Sequence, residues 1–328
     1  MLARGKRRHI HLQLYRHARR TGCRRTRMAC LNAVRLSVVL ILLAWMLAGC
    51  SPRHLIVQGV VSELVSQGQA PEDDVVLARE ASAFYLKLAE SLLREAPGNL
   101  LLAEAVASGF TQYAYAFVQC EADRIEAKDA RAAEKLRQRA ANLYRRAQRH
   151  AMAALQHHLP GYAETLTRSN PADVVRLRPD QIGTAYWAAA SWAAWISLSK
   201  DDPNIVADLP QAMRLARQAW EVAPDHGNGA LVSLLGTFEV ARPGGSQALA
   251  LTYFDRAIEL GAGKNAGIFV AKAEGVALPA GDRVAFESLL RQALVASQIQ
   301  PGLPNSVMRE RAQWLLENVD DLFLPSPP

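Results

Sequence analysis

Residues 250–260 read ALTYFDRAIEL, and the spacing of their side chains decides the fold of this chain. Ala250, Phe254 and Ala257 recur at intervals of four and three residues, which places them on one face of an α-helix. The small alanine side chains allow a partner helix to approach closely. The segment therefore predicts one helix of a tightly packed helical pair.

The same small–aromatic spacing recurs upstream, and it resembles the pattern A-x3-F-x2-A in the second helix of a tetratricopeptide repeat. One further match is Ala140, Tyr144 and Ala147. The other is Ala212, Ala216 and Ala219, and Pro224 lies five residues after Ala219. We expect an all-α fold, a tetratricopeptide-like stack of antiparallel helical hairpins, or α-solenoid. Generic packing of alanine-rich helices is the alternative, and it also gives an all-α structure.

From Glu72 onward, apolar residues recur at helical spacing between short Pro, Gly and Asp breaks. No segment alternates as a strand does. The spacing predicts a short turn or two between 161 and 178 and helices over 72–95, 99–126, 128–158, 179–199, 205–222, 228–242, 246–260, 265–278, 282–297 and 305–323.

The segment from Arg35 to Cys50 reads RLSVVLILLAWMLAGC, a basic flank followed by an apolar run. The run is roughly fourteen residues, shorter than the ~20 that a membrane-spanning helix needs. Its end, LAGC, resembles the bacterial lipobox, which implies cleavage before Cys50 and diacylglycerol on its thiol. We expect a signal peptide at 1–49, a lipidated tether at 50–70, a helical domain at 71–324 and a Pro-rich tail at 325–328. Met28 is an alternative start, and a transmembrane anchor ending in an ordinary cysteine is the alternative to lipidation.

The basic character of the chain lies in this leader. Eleven of the 38 basic residues precede Cys50 and none of the 31 acidic residues does, so the chain from Cys50 onward carries 27 basic and 31 acidic residues. A net charge of −4 removes the main argument for nucleic-acid binding. Cys23 and Cys30 also lie in the leader, which leaves Cys120 as the one unmodified thiol, and we expect it to be buried and structural.

Candidate site residues are aromatic. The segment 179–199 carries no charge between Asp180 and Lys200, and a helix that is apolar on all faces is buried or spans a membrane. Its aromatic side chains either fill the core or line a ligand cavity or pore. The candidates are Tyr186, Trp187, Trp192 and Trp195, together with Tyr115 on an earlier helix, whose hydroxyl is a candidate pore group.

Other motifs predict no chemistry. The histidines at 150, 157, 158 and 226 do not form a metal-ligand spacing, so we expect no metal and no cofactor. The run GAGKN at 261–265 lacks the preceding strand and the Ser or Thr of a phosphate loop, and a helix-terminating turn explains it better. No nucleophile signature occurs. The basic run 121–150 predicts a solvated helix face with local ion pairs, or else a basic rim that faces an acidic partner.

Four segments resemble the T-component (TatT-like) family associated with tripartite ATP-independent periplasmic (TRAP) transporters. They are SGFTQYAYAFVQCEADR at 108–124, AANLYRRAQRHAMAAL at 140–155, ALTYFDRAIELGAGKNAGIFVAKAEGVALPAGDRVAFESLL at 250–290 and RERAQWLLENVDDLF at 309–323. The resemblance covers roughly Leu77 to Phe323. It implies a lipoprotein of tetratricopeptide-like helices that forms a homotrimer with pores, meets a periplasmic solute-binding protein and handles small hydrophobic or organic-acid ligands.

We therefore expect a non-enzymatic scaffold of a TRAP-type system, anchored through Cys50 and facing the periplasm. Ser51 follows the cysteine in place of an aspartate, which favours the outer membrane over the inner. Two other functions remain open on the sequence alone: a generic envelope-assembly lipoprotein, and a small-molecule hydrolase on a helical lipoprotein. Neighbouring genes for a permease or for assembly proteins would discriminate between the transport and assembly roles.

Substitution Cys50→Ser is expected to abolish lipidation, because only a thiol accepts the diacylglycerol. Cells fed radiolabelled fatty acid should label the wild-type protein and a Cys120→Ser control but not the Cys50→Ser variant. Equal labelling of all three proteins would refute the lipoprotein interpretation.

Overall fold

The computed structural model describes residues 74–168 and 175–323, which all fall within one compact unit of the chain. Within these two ranges every regular element is helical and there is no strand, as the spacing predicts. Cys50, the leader and the Pro-rich tail at 325–328 lie outside the described residues. Among the described helices, none combines the length and apolarity that a bilayer crossing requires.

The described α-helices are numbered in chain order. They are α1 Val75–Glu95, α2 Leu100–Ala114, α3 Cys120–Ile125, α4 Ala130–His158, α5 Tyr162–Thr167, α6 Ile182–Ser197, α7 Pro203–Val206, α8 Leu209–Val222, α9 Ala230–Ala241, α10 Gln247–Leu260, α11 Ala266–Lys272, α12 Arg283–Ile299, α13 Leu303–Glu317 and α14 Val319–Leu322. A π-helical turn, Tyr115–Gln119, joins α2 to α3, and a second, Ala273–Ala277, follows α11. Pro179–Gln181 is a short 3₁₀ turn before α6.

These elements confirm most of the predicted helices to within a few residues, with two clear differences. The segment predicted as one helix over 305–323 is divided at Asn318 into Leu303–Glu317 and Val319–Leu322. The segment predicted as one helix over 205–222 is likewise two helices, Pro203–Val206 and Leu209–Val222. Pro210 lies in the first turn of the second helix, where a missing backbone N–H costs nothing, but its ring prevents the preceding residues from continuing the same helix.

Short polar side chains begin several helices. The Asp74 carboxylate accepts hydrogen bonds from the backbone N–H groups of Val76 and Leu77, each at 3.0 Å. Asn99 and Asp129 cap α2 and α4 in the same way. Each side chain accepts a 2.9 Å hydrogen bond from the backbone N–H group three residues later in the chain. Each cap satisfies donors that have no partner inside the helix. These residues place the helix starts.

The small–aromatic positions that predict the fold form its core. All of them are 0 to 1% exposed: Ala140, Tyr144, Ala147, Ala212, Ala216, Ala219, Ala250, Phe254 and Ala257. The most extensive helix contacts are between α4 and α6, α2 and α4, α9 and α10, and α6 and α8. Close packing through alanine is therefore the main way in which these helices meet.

Helices α9 and α10 approach each other closely. Gly229 precedes α9 with φ +94°, and a Cβ there would lie 2.4 Å from the carbonyl oxygen and 2.9 Å from the Cα of Ala257. Gly236, within α9, has the ring of Phe254 at 3.2 Å from the position that its own Cβ would occupy. The backbones can come this close only because side chains are absent at these points.

The last helices return to the first. Helix α13 packs on α1, and two ion pairs join it to α3. Arg311 Nη1 lies 2.9 Å from Asp123 Oδ2, and Arg124 Nη2 lies 3.1 Å from Glu310 Oε2. Partners separated by 188 and 186 residues along the chain therefore contact each other, and the helical array closes on itself.

The variant Gly229→Ala should lower the free energy of unfolding by about 2 to 4 kcal/mol, because its methyl group meets backbone atoms and its φ is left-handed. The matched control is Gly281→Ala, where φ is +68° and no atom lies within 4 Å of the added Cβ. That control should lose only about 1 kcal/mol. Denaturant unfolding measures both, and equal losses would contradict the close approach of α9 and α10.

Candidate functional site

The two π-helical turns carry residues that surround one arginine. Tyr115 begins the first turn and Glu274 lies in the second; Glu274 forms an ion pair with Arg311 of α13, and Tyr115 is close enough to Arg311 for each to affect the pKa of the other. Asp123 of α3 pairs with the same guanidinium, and Cys120 of α3 lies close enough to affect its pKa. We call these five residues the Arg311 cluster. A π-turn inserts an extra residue into a helix and is frequently found at functional sites.

Arg311 is held by two carboxylates. Its Nη2 and Nε lie 2.6 and 3.2 Å from Glu274 Oε1, and its Nη1 lies 2.9 Å from Asp123 Oδ2. The guanidinium carbon is 4.8 Å from the centre of the Trp314 ring, and the side chain is only 12% exposed. Burial alone would lower the pKa of Arg311, but the negative charge of Glu274 and its neighbours raises it above the ordinary value.

Asp123 of the Arg311 cluster also lies close to a second arginine, on α4. Arg137 of α4 pairs with Glu126 and lies 3.8 Å from Asp123. The cluster therefore connects α3, α4, α13 and the turn after α11. Two acids around one buried arginine leave the centre with an excess of negative charge that Arg137 partly offsets. A bound anion would have to displace one of these carboxylates from Arg311.

Tyr115 is half-buried beside this arginine. Within the described ranges no group forms a hydrogen bond with its hydroxyl. Burial raises the pKa of Tyr115 well above its ordinary value, and the nearby Cys120 and Glu274 raise it further. The hydroxyl therefore stays protonated and is available to donate a hydrogen bond to a bound molecule.

Trp195 packs on the same buried group of side chains as Tyr115. Both lie against the core formed by Ala114, Val118, Ala140 and Tyr144. The Tyr144 hydroxyl donates a 2.7 Å hydrogen bond to the side chain of Gln119 in the first π-turn. Trp195 is half-buried, with the guanidinium of Arg145 5.9 Å from its ring centre. The structure thus brings together two of the five aromatic candidates from the sequence, one from α6 and one from the π-turn.

The other three candidates lie elsewhere on α6. Trp192 is 6% exposed and belongs to the core. Tyr186 and Trp187 are half-buried, with ring centres 4.9 Å apart, and Tyr186 is 5.5 Å from the ring of His226. Burial raises the pKa of Tyr186 to about 12. These rings make contacts distinct from those of Tyr115 and Trp195.

The remaining motifs have structural explanations. Cys120 is buried and free, as expected for a structural thiol, and burial raises its pKa to about 11, which suppresses the reactive thiolate. The segment GAGKN at 261–265 forms a turn after α10, with Ala262 and Gly263 at φ +49° and +67°. In the described part of the chain, no three His, Cys, Asp or Glu side chains converge as a metal site would require.

Sequence reasoning named Tyr115 as a candidate but did not select its charged neighbours Arg311, Glu274 and Asp123. Some 151 residues separate Asp123 from Glu274, and each of the three lies in an ordinary helical pattern. Neither π-turn has a signal in its residue types. Only the spatial return of α13 to α3 brings these charges together, so no local spacing rule could have selected them.

Replacing Arg311 by methionine should cost about 3 to 5 kcal/mol of unfolding free energy, because it leaves two part-buried carboxylates without their shared partner. The control is Arg256→Met, which removes an exposed ion pair with Glu259 and should cost less than about 1 kcal/mol. Denaturant unfolding distinguishes them. A loss no greater than that of the control would show that the cluster does not hold the two ends of the array together.

Comparison with known proteins agrees with the resemblance noted in the sequence. The family model described as TRAP transporter T-component matches residues 71–323, a range that includes the whole Arg311 cluster. A relative from Treponema pallidum (strain Nichols), an uncharacterized protein, is 26% identical over 267 residues, which cover 77% of this chain and 81% of the relative. The family match spans well over half of the chain, and the chain therefore belongs to the TRAP transporter T-component family.

Proposed function

We propose that this protein is a lipid-anchored, periplasm-facing component of a TRAP transport system, which docks the system's solute-binding protein and guides a small organic or hydrophobic ligand. The observation that carries the proposal is the family match over 71–323. A role in TRAP transport places the protein with the cell envelope. Anchoring through Cys50, most simply in the outer membrane, tethers it there without a spanning helix.

The surroundings of Tyr115 support a ligand-guiding role. Ligand sites are mostly apolar and aromatic, with a few polar groups that fix orientation. Here the half-buried rings of Tyr115 and Trp195 supply the apolar area, and the tyrosine hydroxyl supplies an available donor. Arg311 is already neutralised by its two carboxylates, which favours a ligand bound through its apolar part over one bound through a charge.

The helical array supports a scaffold that binds and guides without covalent chemistry. Its buried alanine faces are compatible with the expected tetratricopeptide-like hairpins, a fold used to present concave binding surfaces. The proposal includes the homotrimer that the family resemblance implies.

The test uses the processed lipoprotein and the solute-binding protein of the same transport system, with octan-1-ol and benzyl alcohol as uncharged ligand probes. The wild type should bind the solute-binding protein, and Tyr115→Phe should keep that binding while its probe affinity falls about fivefold, the effect of one hydrogen bond. The matched control is Tyr253→Phe, a half-buried tyrosine that packs on Trp220 instead.

Absence of binding between the wild type and the solute-binding protein would refute the docking role. Equal probe affinities for wild type, Tyr115→Phe and Tyr253→Phe would refute the assignment of the ligand site to the neighbourhood of Tyr115.

A further inference from the structure

Helix α4 carries a row of positive charge along its exposed face. Its exposed basic side chains are Arg131, Lys135, Arg139, Arg145 and Arg149. At 100° and 1.5 Å per residue they occupy about 120° of the helix surface over about 27 Å. We call these five residues the basic stripe.

No ion pair joins the basic stripe to any acid that the structure describes. The pairs that α4 does form involve other positions: Arg137 binds Glu126, and Arg146 binds Glu90. The helix has one acid, Glu134, which accepts a hydrogen bond from Gln138 at 3.2 Å. Arginine ion pairs on this helix, one of the two sequence predictions for 121–150, therefore exist only at Arg137 and Arg146 among the described residues. Both arginines pair with acids of other segments, and Glu134, although three residues from Arg131, forms an ion pair with neither Arg131 nor Arg137.

The stripe is positive against an acidic background. Helix α4 has seven basic residues and one acid, a net charge of +6, while the chain from Cys50 onward has a net charge of −4. The remainder of that segment therefore has a net charge of −10. Segregation of this kind focuses the field on one face and steers an oppositely charged partner towards it.

The chemistry of the stripe favours a protein over a lipid surface. Four of its five residues are arginines, whose planar guanidinium groups bind carboxylates in two-bond geometry. Arg145 lies over the half-buried Trp195, and arginine and tryptophan are the residue types that dominate protein interfaces. A helix that enters the membrane interface needs large apolar side chains beside its cations. None of the exposed large hydrophobic residues in the described ranges lies on α4.

We propose that the basic stripe of α4 is a docking surface for an acidic protein face. The inference rests on the proposed function for the identity of that partner, which is then the solute-binding protein of the transport system. Docking occurs through carboxylates on the partner that pair with Lys135, Arg139 and Arg149, while Arg145 and Trp195 form the apolar edge of the contact. The stripe lies beside the aromatic group that includes Tyr115.

The test compares two triple variants with the same net charge. Lys135→Gln, Arg139→Gln and Arg149→Gln neutralise the stripe, and Arg79→Gln, Arg217→Gln and Arg256→Gln neutralise exposed cations on other helices. Binding of the solute-binding protein to the processed lipoprotein is measured from about 50 to 200 mM salt, a range over which screening of exposed charges changes strongly. The stripe variant should bind at least about tenfold more weakly and lose most of the salt dependence, whereas the control should stay within about twofold of the wild type.

The outcomes separate the two proposals. If the wild type binds and both triple variants stay within about twofold of it, the stripe proposal is wrong and the proposed function stands. If the wild type itself does not bind, the proposed function is refuted and the docking proposal with it.

A site-specific probe distinguishes a protein from a membrane at the stripe. Asn142 is exposed at its centre, and an Asn142→Cys variant can be labelled with an environment-sensitive dye because the thiol of Cys120 is buried. The labelled lipoprotein is placed in phosphatidylcholine vesicles with or without phosphatidylglycerol. A change in emission on adding the solute-binding protein supports the proposal, and a change caused by the anionic lipid alone overturns it in favour of a membrane contact.

Discussion

The buried guanidinium group of Arg311 joins the last described helices to α3. Arg311 leaves water only because Glu274 and Asp123, brought from distant parts of the chain, replace its hydration. Desolvation makes such an arrangement costly to assemble and more costly to break on one side. The π-turns contribute to the geometry, since each extra residue rotates the succeeding helical segment by about 100° and so changes which side chains face the arginine. The position of Tyr115, and hence the candidate site, depends on this contact.

Buried charges in this protein are paired, whereas the basic side chains on the exposed face of α4 are not. Glu90 of α1 is 2% exposed and bonds to Lys87, Arg146 and His150; despite burial, these hydrogen bonds hold its pKa far below the ordinary value. Arg311 is likewise matched by acids. On the exposed face of α4 the opposite holds, and the cations of the basic stripe form no ion pair with the described acids. Paired charges thus serve the fold, whereas unpaired ones remain available for association.

The sequence predicted the parts of the structure that depend on local spacing. Helix positions and the buried faces through Ala216 and Phe254 follow from a period of three and four residues, and the structure confirms them. Periodicity could not show which face of α6 would meet which neighbour, and so it could not distinguish Trp195, beside Tyr115, from Trp192, in the core. It also gave no sign of the π-turns, because a turn with one extra residue depends on tertiary packing.

The contact between α13 and the first helices also has a consequence for how the chain matures. A polypeptide synthesised or translocated from its amino terminus presents Asp123 long before Arg311 arrives, and contacts of such sequence separation slow folding. Until α13 is made, the first helices keep part of their hydrophobic surface exposed. Chaperones and proteases recognise chains in this condition. Loss of the last few dozen residues would therefore uncover part of the amino-terminal helices as well as the neighbouring carboxyl-terminal ones, and quality control could recognise a late truncation at both places.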